Sequence, residues 1–306
     1  MKIVVTSRSF SKNETLKQEL DKSFSEVKYN SEGLSLAGQE LIDFVGDSDG
    51  WIVGLEQVDA SVLKSCTSVK VVSKYGVGLD NINLEDCKQV GVKIGWKGGV
   101  NKLSVAEMAL GFMIGLSRNL YSSTFQHKSG LWNKDGGAQL TGKKVGIIGY
   151  GHIGQEVSRM LVPFKCSILA NDIINIDHLC NHRVRFAEKQ EIFETCDVIT
   201  IHTPLTDKTL GIINEKVLKI MKPNAIFINT ARGPLVVQND LKVALKNSQI
   251  HGAAIDVYEE EPPGDLEFLN LENLVCTPHI GGNSKEAVLA MGMSAITELR
   301  SQIANS

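Results

Sequence analysis

Three residues, each placed after a short apolar run, are of types that together could support hydride-transfer chemistry: Arg232, Glu261 and His279. An arginine guanidinium can bind a carboxylate through two parallel hydrogen bonds. Histidine is the natural proton carrier near neutral pH, and a carboxylate against its ring favours the charged form. The pattern predicts an acid–base pair, Glu261 and His279, beside an arginine that could bind a carboxylate.

Each of these residues also has an ordinary structural explanation. Arg232 could pair with a surface acid, and His279 could satisfy backbone groups. Glu261 belongs to the acidic run 259–261, which could be a solvated loop. Taken singly, these alternatives are favoured. Taken together, three such residues after strands of one dinucleotide-binding fold favour the catalytic interpretation.

A glycine pattern is the feature that points to such a fold. Gly149, Gly151 and Gly154 make the spacing G-x-G-x-x-G directly after the apolar run 144–148. The first glycine permits a tight turn, the second lets the backbone approach a pyrophosphate, and the third lets the next helix pack on the strand. The first N–H groups of that helix would face the phosphates. Glycines also serve ordinary turns, so the pattern alone leaves that alternative open.

Asp172 strengthens the interpretation of the glycine pattern. It ends the next apolar run, 166–172, and follows Gly154 by 18 residues. An acid at about that distance binds the adenosine ribose hydroxyls of NAD and would repel the 2′-phosphate of NADP. Ile173 and Ile174 supply no cation for such a phosphate. We therefore expect NAD as the cofactor, with a simple turn residue at the strand end as the alternative for Asp172.

Short apolar runs alternate with helical patterns along the whole chain, which predicts parallel sheets covered by helices on both faces. The predicted strands of the first hundred residues are 3–6, 27–29, 51–55, 69–74 and 92–96, and their helices are 14–20, 38–44, 60–64 and 84–89. The later strands are 144–148, 166–172, 197–201, 225–229, 252–255 and 274–276, with a last helix at 285–303. The fold class is α/β, with two doubly wound parallel-sheet domains.

Composition narrows the classes of protein. The chain has 306 residues, enough for two domains, and a formal net charge of −3 with scattered lysines and arginines, which predicts no nucleic-acid partner. No apolar run reaches the length of a membrane span, and the N-terminus does not resemble a signal peptide. The six cysteines form no C-x-x-C pair and no zinc spacing. We expect reduced thiols, no metal and a cytoplasmic location.

A second glycine turn, Gly76-Val77-Gly78, follows the strand 69–74, and its backbone N–H groups could hold a carboxylate. A plain turn before the next helix is the alternative, and residues alone favour it. Further on, glycines at 98 and 99 break the pattern before a long helix predicted at 103–119. Ser104, with Glu107 three residues later, has the spacing of a capping box.

These motifs resemble those of the D-isomer-specific 2-hydroxyacid dehydrogenase family, from about Val69 to the C-terminus. The matching segments are YGVGLDN at 75–81, SVAE at 104–107, GYGHIG at 149–154, NTARG at 229–233, DVY at 256–258, Glu261-Pro262, and TPHIGG at 277–282. Their order along the chain makes the resemblance specific. It implies a Rossmann NAD-binding domain at 101–283 inserted in a smaller, flavodoxin-like substrate domain at 1–100 and 284–306. It also implies a homodimer.

The resemblance implies roles for individual residues. Arg232 would bind the substrate carboxylate and carbonyl, His279 would be the acid–base, and Glu261 would orient it. The substrate-binding residues would be Lys74, Val77, Gly78 and Asn101. The cofactor-binding residues would be Gly149, Gly151, His152, Ile153, Gly154, Asp172, Thr203, Pro204, Thr230, Ala231, Arg232, Asp256, His279, Gly281 and Gly282, with Asp256 near the nicotinamide amide.

The substrate is less well defined. Lys74 before the glycine turn and the run 230–236 are most similar to D-3-phosphoglycerate dehydrogenases, here without a C-terminal regulatory domain. Lys97 to Asn101 departs from the Thr-Pro-x-x-Asn segment common in the family. Lys74 and Lys97 could attract a phosphate or second carboxylate, or could be solvated surface lysines. We expect 3-phosphoglycerate or a similar phosphorylated hydroxy acid, with a glyoxylate or hydroxypyruvate reductase, or an NAD(H)-sensing corepressor-like protein, as alternatives.

Overall fold

In the computed structural model, which describes residues 1–304, the chain divides into two compact units. One contains Met1–Asn101 together with the segment from Lys285 on, and the other contains Lys102–Ser284. The last two residues of the segment expected to complete the substrate domain, 305 and 306, lie outside the described residues.

The first unit is built on a five-stranded parallel sheet. Its strands are β1 (Lys2–Val5), β2 (Glu26–Tyr29), β3 (Gly50–Val53), β4 (Val71–Lys74) and β5 (Lys93–Gly95). Their order in the sheet is β2-β1-β3-β4-β5. This is the flavodoxin-like order, in which every strand ends at the same edge of the sheet. β3 and β4 are buried along their whole length, which requires helices on both faces.

Helices cover both faces of that sheet. They are α1 (Arg8–Ser11), α2 (Glu14–Asp21), α3 (Gly38–Val45), α4 (Ala60–Ser65), α5 (Leu84–Gln89) and the C-terminal α13 (Lys285–Ala304). Asn13, Asp59 and Asn83 cap α2, α4 and α5 through side-chain oxygens. The last helix lies against the end of β4 and β5, where the Ser73 hydroxyl donates to the Ala295 carbonyl at 2.7 Å. This contact fixes the end of β4, which leads into the turn Gly76-Val77-Gly78.

The second unit is built on a seven-stranded parallel sheet. Its strands are β6 (Lys144–Ile148), β7 (Ser167–Asn171), β8 (Val184–Phe186), β9 (Val198–Ile201), β10 (Ile226–Asn229), β11 (Gly252–Ile255) and β12 (Leu274–Cys276). Their order is β12-β11-β10-β9-β6-β7-β8. Counted from β6, this is the Rossmann order, which reverses direction between the first strand and the fourth. The predicted α/β class with two parallel-sheet domains is confirmed.

The helices of the second unit are α6 (Lys102–Ser117), α7 (Leu120–Lys128), α8 (His152–Leu161), α9 (Lys189–Thr195), α10 (Glu215–Ile220), α11 (Gln238–Lys246) and α12 (Leu266–Leu269). Asn214 caps α10, since its side chain accepts from the amides of Lys216 and Val217.

Ser104 differs from expectation. The long helix begins at Lys102, so Ser104 lies inside its first turn and does not cap it. Its hydroxyl instead donates to the carbonyl of Gly281 at 2.6 Å. The capping-box spacing was therefore misleading, because a hydroxyl in the first turn can bond to a neighbouring loop as well as to its own helix.

The elements that were not expected from the sequence include α7 and β8. The helix α7 buries none of its residues, so it lacks the apolar face by which an amphipathic helix is recognised. The strand β8 is three residues long, with only Val184 buried. Of the helices in residues 1–304, none combines the length and the apolar character needed to cross a membrane.

Candidate active site

The glycine turn after β6 is packed as the G-x-G-x-x-G pattern predicts. Gly149 has a φ of +90°, and a Cβ there would lie 2.6 Å from the carbonyl carbon of His202. A Cβ on Gly154 would collide with the carbonyl oxygen of Gly149. Gly151 is different, because a Cβ there would meet no described atom within 4 Å. Gly149 and Gly154 thus close the turn, whereas Gly151 leaves open space beside it.

That open space lies at the N-terminus of α8. Gly151 precedes α8 without a side-chain cap, and the exposed His152 and half-buried Ile153 begin the helix. The first amides of a helix have no partner within it, and they carry the partial positive charge of the helix dipole. No acidic side chain lies in the first turn of α8 to repel an anion. Backbone groups would therefore do the binding.

Asp172 lies against this turn. One of its carboxylate oxygens accepts from the Tyr150 amide at 2.7 Å, and the other accepts from the Ile174 amide at 3.3 Å. The carboxylate is thereby held between the glycine turn and the end of β7. This is where the hydroxyls of an adenosine ribose would need an acceptor.

The next two strand ends contain buried polar atoms without a partner. In the described chain, Nδ1 of His202 and Oγ1 of Thr230 are buried and make no hydrogen bond. Nε2 of His202 lies 2.9 Å from the Thr200 hydroxyl. Burial lowers the pKa of His202 to about 3, so its ring is neutral. Because β9 and β10 are neighbours, these residues and the half-buried Thr203 end at the same part of the sheet edge.

His202 is a residue that sequence reasoning passed over at this edge. The only signal was its place in the run His202-Thr203-Pro204 after a predicted strand. Thr203 and the exposed Pro204 were included as cofactor residues, and the histidine before them was not. Its backbone is the part that contacts Gly149, and this contact joins the turn to β9.

Arg232 follows β10 in a tightly packed turn. Its Nη1 donates to the Ala231 carbonyl at 2.7 Å, and its own carbonyl accepts from the Asn229 side chain at 2.8 Å. Gly233 lies directly against the carbonyl of Tyr258, with no room for a Cβ. The turn that carries Arg232 is therefore fixed to the loop that leads to Glu261.

Glu261 and His279 form the expected pair. Nδ1 of His279 lies 2.8 Å from Oε2 of Glu261, and the other carboxylate oxygen accepts from the Tyr258 amide at 3.2 Å. The side chain of His279 is 48% exposed, and that of Glu261 is 39% exposed. With Nδ1 held by the carboxylate, Nε2 is the ring nitrogen left to exchange a proton.

Asp256 holds the loop that carries His279. Its buried carboxylate accepts from the Thr277 hydroxyl at 2.6 Å and from the amides of Ile280 and Gly281 at 2.8 and 2.7 Å. His279 itself has a φ of +52°, a conformation that non-glycine residues rarely adopt. Asp256 thus bonds to residues on both sides of the strained position. Gly281 is buried beside it, and Gly282 is half-buried.

The first unit brings the predicted substrate residues to the ends of β4 and β5. Val77 and Gly78 are half-buried, and their amides donate no hydrogen bond among residues 1–304. Lys74 is buried, and its ammonium donates to the Gly54 carbonyl and to Oδ1 of Asn81, both at 2.5 Å. Lys97 is exposed. The two lysines that the sequence treats alike are therefore in opposite environments.

Asn101 is the last residue of the first unit. It is 7% exposed, and its Oδ1 is buried without a partner in the described chain. An unpaired buried amide oxygen costs free energy unless another donor reaches it.

The second unit is a dinucleotide-binding Rossmann domain with a histidine–carboxylate pair beyond its strand ends, which is an arrangement found in nicotinamide-dependent oxidoreductases. The family model described as the NAD-binding domain of D-isomer specific 2-hydroxyacid dehydrogenases matches residues 110–281. The chain belongs to this family. It is an NAD-dependent D-2-hydroxyacid dehydrogenase.

Similar proteins act on more than one substrate. The chain is 32% identical over 291 residues to hydroxypyruvate reductase from Thermotoga maritima, covering 92% of this chain and 94% of that enzyme. It is 34% identical over 305 residues to D-3-phosphoglycerate dehydrogenase from Methanocaldococcus jannaschii, covering 98% of this chain but 57% of that enzyme. The solved structure of D-2-hydroxyisocaproate dehydrogenase has a TM-score of 0.87 at 26% identity, covering 100% of this chain and 97% of that one.

Proposed function

We propose that this enzyme transfers a hydride between NAD and a small D-2-hydroxy acid that carries a second anionic group, with 3-phosphoglycerate as the first candidate. The acid–base part of the proposal depends on one observation, the 2.8 Å contact between Nδ1 of His279 and Glu261. The substrate part depends on the exposed cation Lys97, which follows β5.

His279 is proposed as the proton carrier. When bound, NADH supplies the hydride that reduces a carbonyl carbon. Nε2 of His279 gives a proton to the carbonyl oxygen in that direction and takes it back in the other. Glu261 holds Nδ1, which fixes the ring orientation and leaves Nε2 to exchange the proton. Arg232 binds the carboxylate and the carbonyl oxygen, for which a guanidinium fork is suited.

The cofactor is proposed to lie along the carboxyl ends of β6, β7, β9, β10 and β11. The amides of His152 and Ile153, with the open space at Gly151, would hold the pyrophosphate, and Asp172 would hold the adenosine ribose. The remainder of the cofactor site would be lined by Thr203, Pro204, Thr230, Ala231, Gly281 and Gly282. The hydroxyl of Thr230, which has no partner in the described chain, gives the cofactor a buried polar group to bind. Asp256, which is fully buried, would reach the nicotinamide amide.

We assign the substrate domain to the unit that contains Met1–Asn101 and the NAD-binding domain to the other. In the substrate domain, the unpaired amides of Val77 and Gly78 would bind the substrate carboxylate. Asn101 offers a buried, unpaired Oδ1. Lys74 is proposed to act beneath this surface, since its ammonium already supports the loops of Gly54 and Asn81. Lys97 is then the cation available to a phosphate.

Hydroxypyruvate is the second candidate substrate. The hydroxypyruvate reductase from Thermotoga maritima is 32% identical over 92% of this chain. The engaged ammonium of Lys74 also leaves fewer cations for a phosphate.

The keto acids of the two candidate reactions, 3-phosphohydroxypyruvate and hydroxypyruvate, differ by a single phosphate, which makes them a matched pair for an experiment. NADH oxidation, followed by its near-ultraviolet absorbance, is compared with 3-phosphohydroxypyruvate and with hydroxypyruvate. We expect a higher kcat/KM with the phosphorylated acid. Preference for hydroxypyruvate would transfer the assignment to the second candidate, and turnover of neither would reject both.

We also propose a cytoplasmic homodimer. The six cysteines are all free thiols, which fits a reducing compartment. Light scattering on the purified chain gives the oligomeric state directly, and a monomer would reject the dimer.

A further inference from the structure

Trp96 makes a contact with the turn Gly76-Val77-Gly78, and the sequence did not suggest this contact. It follows β5, and its indole Nε1–H donates to the carbonyl of Val77 at 3.0 Å. The ring is otherwise 41% exposed. An indole has one donor and no acceptor, so this bond uses its whole hydrogen-bonding capacity.

The bond fixes the direction of the next amide. A peptide unit is planar and trans, so the N–H of Gly78 points away from the Val77 carbonyl. Because Trp96 holds that carbonyl on one side, the Gly78 N–H is presented on the other. That N–H makes no hydrogen bond within residues 1–304 and is available to an anion.

The support beneath Trp96 is rigid. Gly95, the residue before it, packs so closely on α13 that a Cβ there would lie 3.1 Å from Glu298 and 2.9 Å from the Ser73 hydroxyl. Ser73 and Gly95 are register partners of neighbouring strands. Trp96 therefore extends from the end of β5 over the turn that follows the neighbouring strand, β4.

The turn needs such an external support. Gly76 has a φ of +135°, which side-chain-bearing residues rarely adopt, and glycine adds conformational freedom on both sides of Val77. From below, Lys74 contacts Gly76, since a Cβ on Gly76 would lie 3.2 Å from Cε of Lys74. From the side, the contact is the indole of Trp96.

We propose that Trp96 is a positioning residue that orients the Val77–Gly78 peptide for the carboxylate of the substrate. The inference rests on the proposed role of these amides in carboxylate binding. It goes beyond that role because it assigns the orientation of the Gly78 amide to a side chain outside the turn. Loss of the indole N–H allows the peptide to rotate, which weakens carboxylate binding without changing the chemistry at His279.

The test is Trp96→Phe, which keeps an aromatic ring and removes the donor. Trp132→Phe is the matched control, because Trp132 is 75% exposed and lies in the other unit. We expect KM for every 2-keto acid and the inhibition constant of oxamate to rise roughly three- to tenfold in Trp96→Phe, the effect of one lost hydrogen bond. We expect kcat and the Kd of NADH to stay within about twofold of wild type.

A merely structural role would give a different result. It would lower the melting temperature and weaken NADH binding or kcat along with KM. Unchanged KM and oxamate inhibition in Trp96→Phe, or equal increases in both Trp→Phe variants, would overturn the inference.

An NMR measurement separates this inference from the proposed function. In the NADH complex of the full chain, oxamate is expected to shift the amide signals of Val77 and Gly78 in wild type and to shift them less in Trp96→Phe at equal concentration. If oxamate does not shift these signals in wild type, carboxylate binding by the turn is rejected, and the inference is rejected with it. Wild-type shifts that are equal in the variant would reject the role of Trp96 alone.

Discussion

Oε2 of Glu261 lies 2.8 Å from Nδ1 of His279, while the other oxygen of the same carboxylate accepts from the Tyr258 amide. The carboxylate thus joins the loop after β11 to the loop after β12. His279 adopts a φ of +52°, and Asp256 bonds to the residues on both sides of it. The orientation of the imidazole is consequently set by two carboxylates, one on the ring and one on the backbone.

His279→Ala is expected to lower kcat by about 10²- to 10⁴-fold, the usual contribution of a general acid–base, and to leave the Kd of NADH unchanged. Glu261→Gln should give a smaller loss, because the ring keeps a hydrogen-bond partner but loses the stabilising charge. Steady-state kinetics and fluorescence titration of NADH provide the measurements. The control is His251→Gln at an exposed histidine, and full turnover in His279→Ala would remove His279 from the mechanism.

Asp172→Ala is expected to weaken NAD binding roughly ten- to a hundredfold, as hydrogen bonds to a charged acceptor are lost, and to narrow the preference for NAD over NADP. Asp177→Ala, a few residues further along the same loop, is the matched control. The Kd values of both cofactors are measured by calorimetry. An unchanged ratio of these values would contradict the assignment of Asp172 to the adenosine ribose.

Lys97→Met is expected to lower kcat/KM for 3-phosphohydroxypyruvate by about tenfold and to leave hydroxypyruvate reduction unaffected, because only the former has a phosphate to bind. The loss should shrink as salt is added, since an exposed charge is screened. Lys88→Met, on the exposed surface of α5, serves as the control. A parallel loss with both acids would argue against a phosphate-binding role.

His202 gives the folded protein a specific sensitivity to acid. Its folded-state pKa of about 3 lies below the ordinary histidine value of 6.5, so between these pH values the unfolded chain binds a proton that the folded chain does not. Stability is therefore fully present above about pH 6.5 and falls as the pH falls. Between about pH 7.5 and about pH 5.5, wild type should lose about 1 kcal/mol more unfolding free energy than His202→Asn.

Urea unfolding at the two pH values measures this difference. His251→Gln, which replaces an exposed histidine, should lose as much stability on acidification as wild type. Equal losses in wild type and His202→Asn would show that His202 takes up its proton in the folded state.

Much of the fold follows from local patterns. The helix α5 was predicted to its ends, and the strands β11 and β12 likewise, since a short apolar run bounded by polar residues leaves little choice. The helix α7 was missed because none of its residues is buried, and β8 was missed because two of its three residues are exposed. Patterns of burial identify an element only where the element has something to bury.

In the candidate site, too, some features follow from the sequence and others depend on the tertiary structure. The sequence by itself determined the glycine turn and the types of Asp172, Arg232, Glu261 and His279, because backbone freedom, charge and proton affinity belong to the residue. The sequence also predicted that Glu261 pairs with His279, but only the tertiary structure decided which ring nitrogen the carboxylate meets, since the two are joined by packing across neighbouring strand ends. It also decided which of two lysines is engaged and that Trp96 reaches Val77, because burial and hydrogen bonding depend on what the rest of the chain places nearby.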